Sequence, residues 1–439
     1  MLSSLFLVVA SFIVSPLRPP SNSNNHHISV VRANVPTLAY RDDDDSPPPP
    51  PIAAEPQRLV TKKGPRDEDD PPNKVLIIYT GGTLGMLKLP SGSLAPKQGH
   101  LAGCIAEMPE VNTDEMPELD LIEYNPLIDS SNVEPADWRR LACQIRDYYY
   151  DYDGFVIVHG TDTLAYTASA LSFMLEGLGK AVVLTGSMIP LAEVYNDARR
   201  NLLISVVFAA QLDLCEVAIF FNDRLLRGNR AVKVDSNSLA AFDSPNFPPL
   251  ATVGATINAE RARWRAPPTT RLRVETRLDT AVVVLKLAPG FDDQCIEAMI
   301  QHAPNLKAVV LSLYGTGNGP SHKSRFLQTI ETAIDKGILV VAASQCTAGT
   351  VSLETYEVGR KLLELGVVSA GDMTTEACVT KLAHLFGKKI KGDRLRRMVN
   401  QDLRGERTVR PNSQWSELLG GARYELSSLA RPESEVRRW

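Results

Sequence analysis

Seven apolar runs with almost no polar alternation constrain the fold more than any other feature of this chain. They are "VLIIY" (75–79), "GFVIVHG" (154–160), "KAVVLTG" (180–186), "EVAIFF" (216–221), "TAVVVLKL" (280–287), "KAVVLSLYG" (307–315) and "GILVVAAS" (337–344). A strand with one wet face alternates apolar and polar residues. A strand apolar throughout is covered on both faces, as in parallel sheets flanked by helices. Helical patterns lie between the runs: Leu164, Ala168, Leu171, Leu175 and Leu178 form a 3.6-residue stripe ending at Gly179, and "NDARRNLLISVVFAAQL" and "DQCIEAMIQH" follow the same rule. The pattern predicts an α/β protein.

The 439 residues favour two domains. The stretch "RARWRAPPTTRLR" (261–273) has no strong period and contains a proline pair, which places the boundary there. The expected organisation is a larger N-terminal domain over 73–262, with a mostly parallel sheet, and a smaller C-terminal α/β domain over 273–410. A polar tail follows over 411–439. Residues 21–72 hold "DDDD", a five-proline run and "RDEDDPPN", a composition that cannot offset the entropy of ordering; they are expected to be disordered, and deleting residues 1–70 to leave folding and turnover almost unchanged. Within 1–20, "LFLVVASFIV" has the length of a signal-peptide core without a basic flank, so it reads as either a signal peptide or an untranslocated apolar leader. It is too short to span a bilayer.

A net charge of −4 and a pI near 6.0 supply no basic field for nucleic acid. Six scattered cysteines form neither a zinc pattern nor a disulfide framework and read as buried free thiols.

Ligands of open parallel sheets bind at the carboxyl ends of strands. Four such ends carry unusual residues: "TGGT" (Thr80–Thr83), "HGTDT" (His159–Thr163), "TGSMIP" (Thr185–Pro190) and, after the fourth run, "RGNRAVKVDS" (Arg227–Ser236). None matches GxGxxG or a P-loop. A threonine hydroxyl is a weak nucleophile until a base removes its proton, and the base needs an orienting group. Thr161, Asp162 and Lys233 suit such an array, with backbone N–H groups of the glycine turns receiving an oxyanion. This points to acyl transfer on a small polar substrate. Thr161 or Asp162 also suits the N-cap of the following helix, and His159 reads as a satisfied strand-end histidine.

"YTGGTLGM", "DGFVIVHGTDTLAYTASALSFMLEGL", "VVLTGSMIP", "RGNRAVKVDS", "YGTGNGP" and "DMTTEA" together resemble the cytosolic-type (type I) branch of the bacterial-type L-asparaginases, from about Lys74 to Arg407. The resemblance implies hydrolysis of L-asparagine to L-aspartate and ammonia. It implies Thr83 as the attacking hydroxyl, and Thr161 as a second catalytic threonine activated with Asp162 and Lys233. The matching substrate contacts are Gly82, Asp129, Ser130, Gly160, Thr161, Asp162 and Ser187. It further implies no metal or organic cofactor, and a homodimer or homotetramer with shared sites. Localisation would be cytoplasmic by branch, or secreted if the leader is a signal peptide. Many bacterial relatives carry a tyrosine in the loop after "TGGT", where this chain has Leu94; mammalian relatives instead supply one from the C-terminal domain, which matches Tyr356 in "TVSLETYEVG". Ser312 in "LSLYG" stands where some relatives have an arginine that binds asparagine allosterically. An ammonia-supplying amidotransferase subunit and a non-catalytic amino-acid sensor are the alternative readings.

Overall fold

The computed structural model describes residues 55–60, 73–320 and 322–409. The leader at 1–20, the tail at 411–439 and most of 21–72 lie outside the described residues. Among the described residues the first sheet has nine strands: β1 (Gln57–Val60), β2 (Lys74–Tyr79), β3 (Glu118–Glu123), β4 (Gly154–Val158), β5 (Val182–Thr185), β6 (Val217–Phe221), β7 (Arg224–Arg227), β8 (Ala251–Val253) and β9 (Ile257–Ala259). Their spatial order is β1-β3-β2-β4-β5-β6-β7-β8-β9. From β3 to β6 all pairings are parallel, and the margins at β1 and at β7 to β9 are antiparallel. A second sheet, β10 (Val282–Lys286), β11 (Ala308–Leu313), β12 (Leu339–Ser344) and β13 (Val368–Ser369), is parallel throughout. The fold is α/β, as expected. Among the described residues no helix is long and apolar enough to cross a membrane.

The missing alternation has its physical cause in two cores. Leu76 and Ile78 of β2 and Phe155 and Ile157 of β4 pack on one face with helices α1 (Pro135–Asp147) and α2 (Leu164–Met174). Val75, Ile77 and Tyr79, with Val156 and Val158, pack on the other face with α3 (Ala198–Gln211). Both faces are dry, so every position is apolar. Helix α2 ends at Met174, short of Gly179: Leu175–Glu176 leaves the helix to pair with Arg273–Val274, and Glu275 N–H takes the Met174 carbonyl at 2.8 Å. All six cysteines are unpaired; Cys143 and Cys378 are buried, but Cys295 and Cys346 are exposed, against the expectation.

Strand β3 was not among the seven runs, because "ELDLIE" carries carboxylates at Glu118 and Asp120 that a central strand should not hold. Both are nonetheless buried. Their partners explain it. Tyr152 Oη donates to Asp120 at 2.8 Å, Arg58 Nε donates to the other Asp120 oxygen at 2.8 Å, and Arg58 and Lys74 approach Glu118 at 3.6 and 3.8 Å. Arg58 lies on β1, which pairs antiparallel with β3 across Gln57–Leu121 and Arg58–Asp120. Part of the 21–72 prefix is therefore ordered, which corrects the expectation of a wholly disordered segment: residues 57–60 cover the sheet edge and bring a cation to buried acids.

Arg58 is half-exposed, so its ion pair contributes at most about 1 kcal/mol; the backbone pairing of β1 adds to it. Deleting residues 1–70 should lower the thermal midpoint by about 2–4 °C, the shift of ~1 kcal/mol in a domain of this size. Scanning calorimetry of the truncated and full chains checks this; an unchanged midpoint would show that the edge strand carries no stability.

Candidate active site

The order β3-β2-β4-β5-β6 reverses direction between β2 and β4, since the chain leaves β2 to one side and returns on the other. That switch point is where open α/β sheets leave a crevice for ligands. "TGGT" follows β2 and "HGTDT" follows β4. The two loops touch backbone to backbone: a Cβ on Gly82 would lie 2.6 Å from the Cα of Gly160. One on Gly81 would lie 2.1 Å from the Ile128 carbonyl oxygen, and both glycines have positive φ, +141° and +96°. No side chain fits at either position. Thr83 and Thr161 each follow one member of the touching glycine pair, so both start from one point. Thr83 opens a short 3-10 turn (Thr83–Gly85) and is half-buried.

Lys233 Nζ donates to Thr161 Oγ1 at 2.9 Å and to Asp162 Oδ1 at 2.7 Å. The lysine is mostly buried, and Asp162 is open to the crevice. Ser130 is buried against Gly160, whose hypothetical Cβ would meet its Oγ at 2.5 Å, and its carbonyl accepts from Thr163 Oγ1 at 2.6 Å. Neighbouring Asp129 is exposed and caps the next turn, accepting from Ser131 N–H at 2.9 Å. Ser187 is buried, and among the described residues its hydroxyl has no hydrogen-bond partner. Gly186 before it packs on the Thr161 methyl group, 3.5 Å from where a Cβ would stand. The structure thus brings Gly82, Thr83, Asp129, Ser130, Gly160, Thr161, Asp162, Ser187 and Lys233 to one crevice.

Tyr356 is not among them. It precedes the helix α4 (Glu357–Leu365) beside the second sheet, is half-exposed, and makes no hydrogen bond to the array. Leu94 is exposed on the hairpin pairing Met86–Lys88 with Leu94–Pro96. Ser312 is buried on β11, and its carbonyl accepts from Gln345 Nε2 at 2.8 Å.

His159 is a structural residue, as its position suggested. Trp138 Nε1 donates to Thr167 Oγ1 at 2.9 Å, which directs the threonine proton to His159 Nε2 at 3.0 Å, and Nδ1–H then donates to the Gly160 carbonyl at 2.7 Å. Burial lowers the histidine pKa and keeps this neutral tautomer, although the Gly160 carbonyl opposes the shift. The chain of bonds holds the Gly160 peptide in one orientation.

Sequence reasoning missed two supports. Asp197 accepts from the N–H groups of Met188 (3.0 Å) and Ile189 (3.0 Å), and Asn201 Nδ2 donates to the Gly186 carbonyl at 3.0 Å, so both sides of Ser187 are clamped. The signal was present in "NDARRN", an acid and an amide one turn apart where α3 begins. Arg230 is the second support. It is fully buried and reaches both Asp372 oxygens at 3.1 and 2.8 Å, the Glu406 carbonyl at 2.8 Å and the Asn246 carbonyl at 2.7 Å. Burial would raise the Asp372 pKa, but hydrogen bonds from Arg230 and Thr408 outweigh it and hold the carboxyl below its ordinary value. Asn229 Nδ2 donates to the Arg404 carbonyl at 3.0 Å. The "RGNR" preceding Lys233 is therefore a latch between the two sheets, and no local pattern pairs Arg230 with Asp372, 142 residues away.

Comparison with known proteins identifies the family and the fold. Residues 74–265 match the family model for the N-terminal domain of asparaginase, and residues 281–399 match that for the glutaminase/asparaginase C-terminal domain. The chain is 44% identical over 338 residues to L-asparaginase 1 of Escherichia coli (strain K12), covering 76% of this chain and 98% of that protein. It is 38% identical over 395 residues to a human protein described as a 60 kDa lysophospholipase, covering 83% of this chain and 68% of that one. The solved structure of L-asparaginase I from Vibrio cholerae superposes with a TM-score of 0.71 at 39% identity, covering 77% of this chain and all of that one.

Removing one member of a buried ion pair strands the other charge, at about 3–5 kcal/mol. Arg230→Ala should destabilise the chain on that scale in urea titration. It should also lower turnover in the fraction that remains folded, because the loop carrying Lys233 loses its anchor. Unchanged stability would remove the latch.

Proposed function

This chain belongs to the asparaginase family, and on that premise we propose how it hydrolyses L-asparagine to L-aspartate and ammonia. Thr83 Oγ attacks the side-chain amide carbon, and the C–N bond of the tetrahedral intermediate breaks. Ammonia leaves, taking the proton that Thr83 gave up. Water then cleaves the β-aspartyl ester and restores Thr83. Among the described residues the N–H groups of Gly82 and Thr83 have no acceptor within the chain, which leaves them to receive the oxyanion.

The observation that carries the reading is the Lys233 Nζ contact with both Thr161 Oγ1 and Asp162 Oδ1, beside the Gly82–Gly160 contact. As a neutral amine, Lys233 takes the Thr161 hydroxyl proton; as an ammonium it donates to the threonine and is held by Asp162. Thr161 thereby carries protons to and from the reacting centre. In this reading Asp162, open to the crevice, and Asp129 receive the substrate's α-ammonium, and Ser130 takes the α-carboxylate. Ser187, whose hydroxyl has no partner among the described residues, is the group this reading sets beside the amide.

Tyr356 enters this reading only through a second copy of the chain. Its half-exposed ring beside the second sheet suits a dimer in which it completes the neighbour's site and supplies the hydroxyl that Leu94 cannot. The assembly is a homodimer or homotetramer.

Thr83→Ala, Thr161→Val and Lys233→Met should each lower kcat by about a hundredfold or more, with non-additive losses in combination. Ammonia release from free L-asparagine by the purified chain alone tests the whole reading. A requirement for a partner would favour the amidotransferase alternative, and binding without turnover the sensor. For the shared site, Tyr356→Phe should cut kcat, and mixing it with Thr83→Ala subunits should restore activity in some sites. Verified mixed oligomers without recovery would exclude Tyr356 from the site.

A further inference from the structure

A cavity of about 310 Å³ lies at the opposite end of the first sheet from the catalytic array. Its walls come from the start of β6 (Glu216, Val217), the connecting segment Arg265–Thr270, the turn at Gly177, and Arg404 of the segment that latches onto "RGNR". The parallel strands between the two places run in one direction, so this cavity is at their amino ends and the array at their carboxyl ends. No residue of the array lines it.

Its charge is unbalanced. Arg227 is occupied by Glu216 through bonds of 2.5 and 3.3 Å, and Glu216 also accepts the Arg265 backbone N–H at 3.1 Å. The Arg265 guanidinium has no hydrogen bond and no ion pair among the described residues. Arg404 gives Nη1 to the Leu403 carbonyl at 2.9 Å, and its Nη2 lies 3.6 Å from Glu176. That carboxylate already accepts from Lys388 at 2.6 Å. The Nε of Arg404 is buried with no acceptor among the described residues. Burial and the charge of Arg265 push the Arg404 pKa down, against Glu176, Glu406 and Asp402. Asp402 accepts the Gly405 N–H and interacts with Glu406, and it also feels the charges of Arg265 and Arg404. Arg265 and Arg404 therefore line a cavity whose one lining carboxylate among the described residues, Glu216, is already taken by Arg227, while Asp402, which is not in that lining, is within electrostatic reach of both. The hydroxyl-bearing Thr269 and Thr270 stand on the same wall.

We propose that this cavity is a second ligand site, binding a small oxyanion of the phosphate or dicarboxylate class between Arg265 and Arg404. Guanidinium forks pair with such oxygens in bidentate fashion, and the volume is at the small end of ligand pockets. A bound anion would join the connecting segment to the segment at Arg404, whose carbonyl is held by Asn229. The inference does not depend on the reaction assigned to the array.

The test is scanning calorimetry and isothermal titration of the full chain with inorganic phosphate in one arm and succinate in the other, ionic strength being matched with potassium chloride. The expected result is a saturable rise in thermal midpoint in at least one arm, which identifies the class. Binding in that arm should weaken at least tenfold in Arg265→Gln, whose side chain makes no hydrogen bond among the described residues, and in Arg404→Gln. Lys233→Met should keep the rise. No rise beyond chloride in either arm would overturn the proposal. So would a rise that survives Arg265→Gln, or one lost in Lys233→Met, since the anion would then sit elsewhere or in the catalytic crevice.

Discussion

The contact between Gly82 and Gly160 is the constraint on which the site depends. Two strand-end loops meet at the switch point of the sheet with no room for a methyl group between them. A side chain on Gly82 would push the loops apart and separate Thr83 from Thr161, which start on either side of the contact, and one on Gly160 would displace Ser130. The same closeness sets Ser130 against Gly160. Misplacement by a single ångström costs a reaction a large factor, so a backbone contact that cannot be wider serves catalysis better than one made by adaptable side chains.

Around that contact the supports are polar and buried. His159, Thr167 and Trp138 fix one peptide, Asp197 and Asn201 another, and Arg230 with Asp372 the approach to Lys233. Such groups stabilise little in net terms because burying them costs desolvation. Their value lies in geometry: each bond leaves its partner one orientation. The edge strand β1 follows the same rule, since Arg58 makes the carboxylates of β3 tolerable inside a sheet.

Much of this was legible in the sequence. Every apolar run became a strand, because burial on both faces leaves a local composition that needs no tertiary knowledge to read. The glycine-threonine motifs were legible for a similar reason, since positive φ and close approach demand glycine at that position whatever lies opposite. Strand β3 was hidden, as its carboxylates obey a pairing with Arg58 and Lys74 made only in three dimensions.

The sequence by itself therefore determined the α/β class, the strands, and the residue types that carry the chemistry, all properties set by neighbours within a few positions. Tertiary structure alone decided which of those residues meet. It joined Lys233 to Thr161 and Asp162 across some seventy residues, turned "RGNR" into a latch through Asp372, and kept Tyr356 out of the array of its own chain. Those outcomes depend on how the two sheets sit together, and the free energy of a long-range ion pair leaves no periodic trace along the chain that forms it.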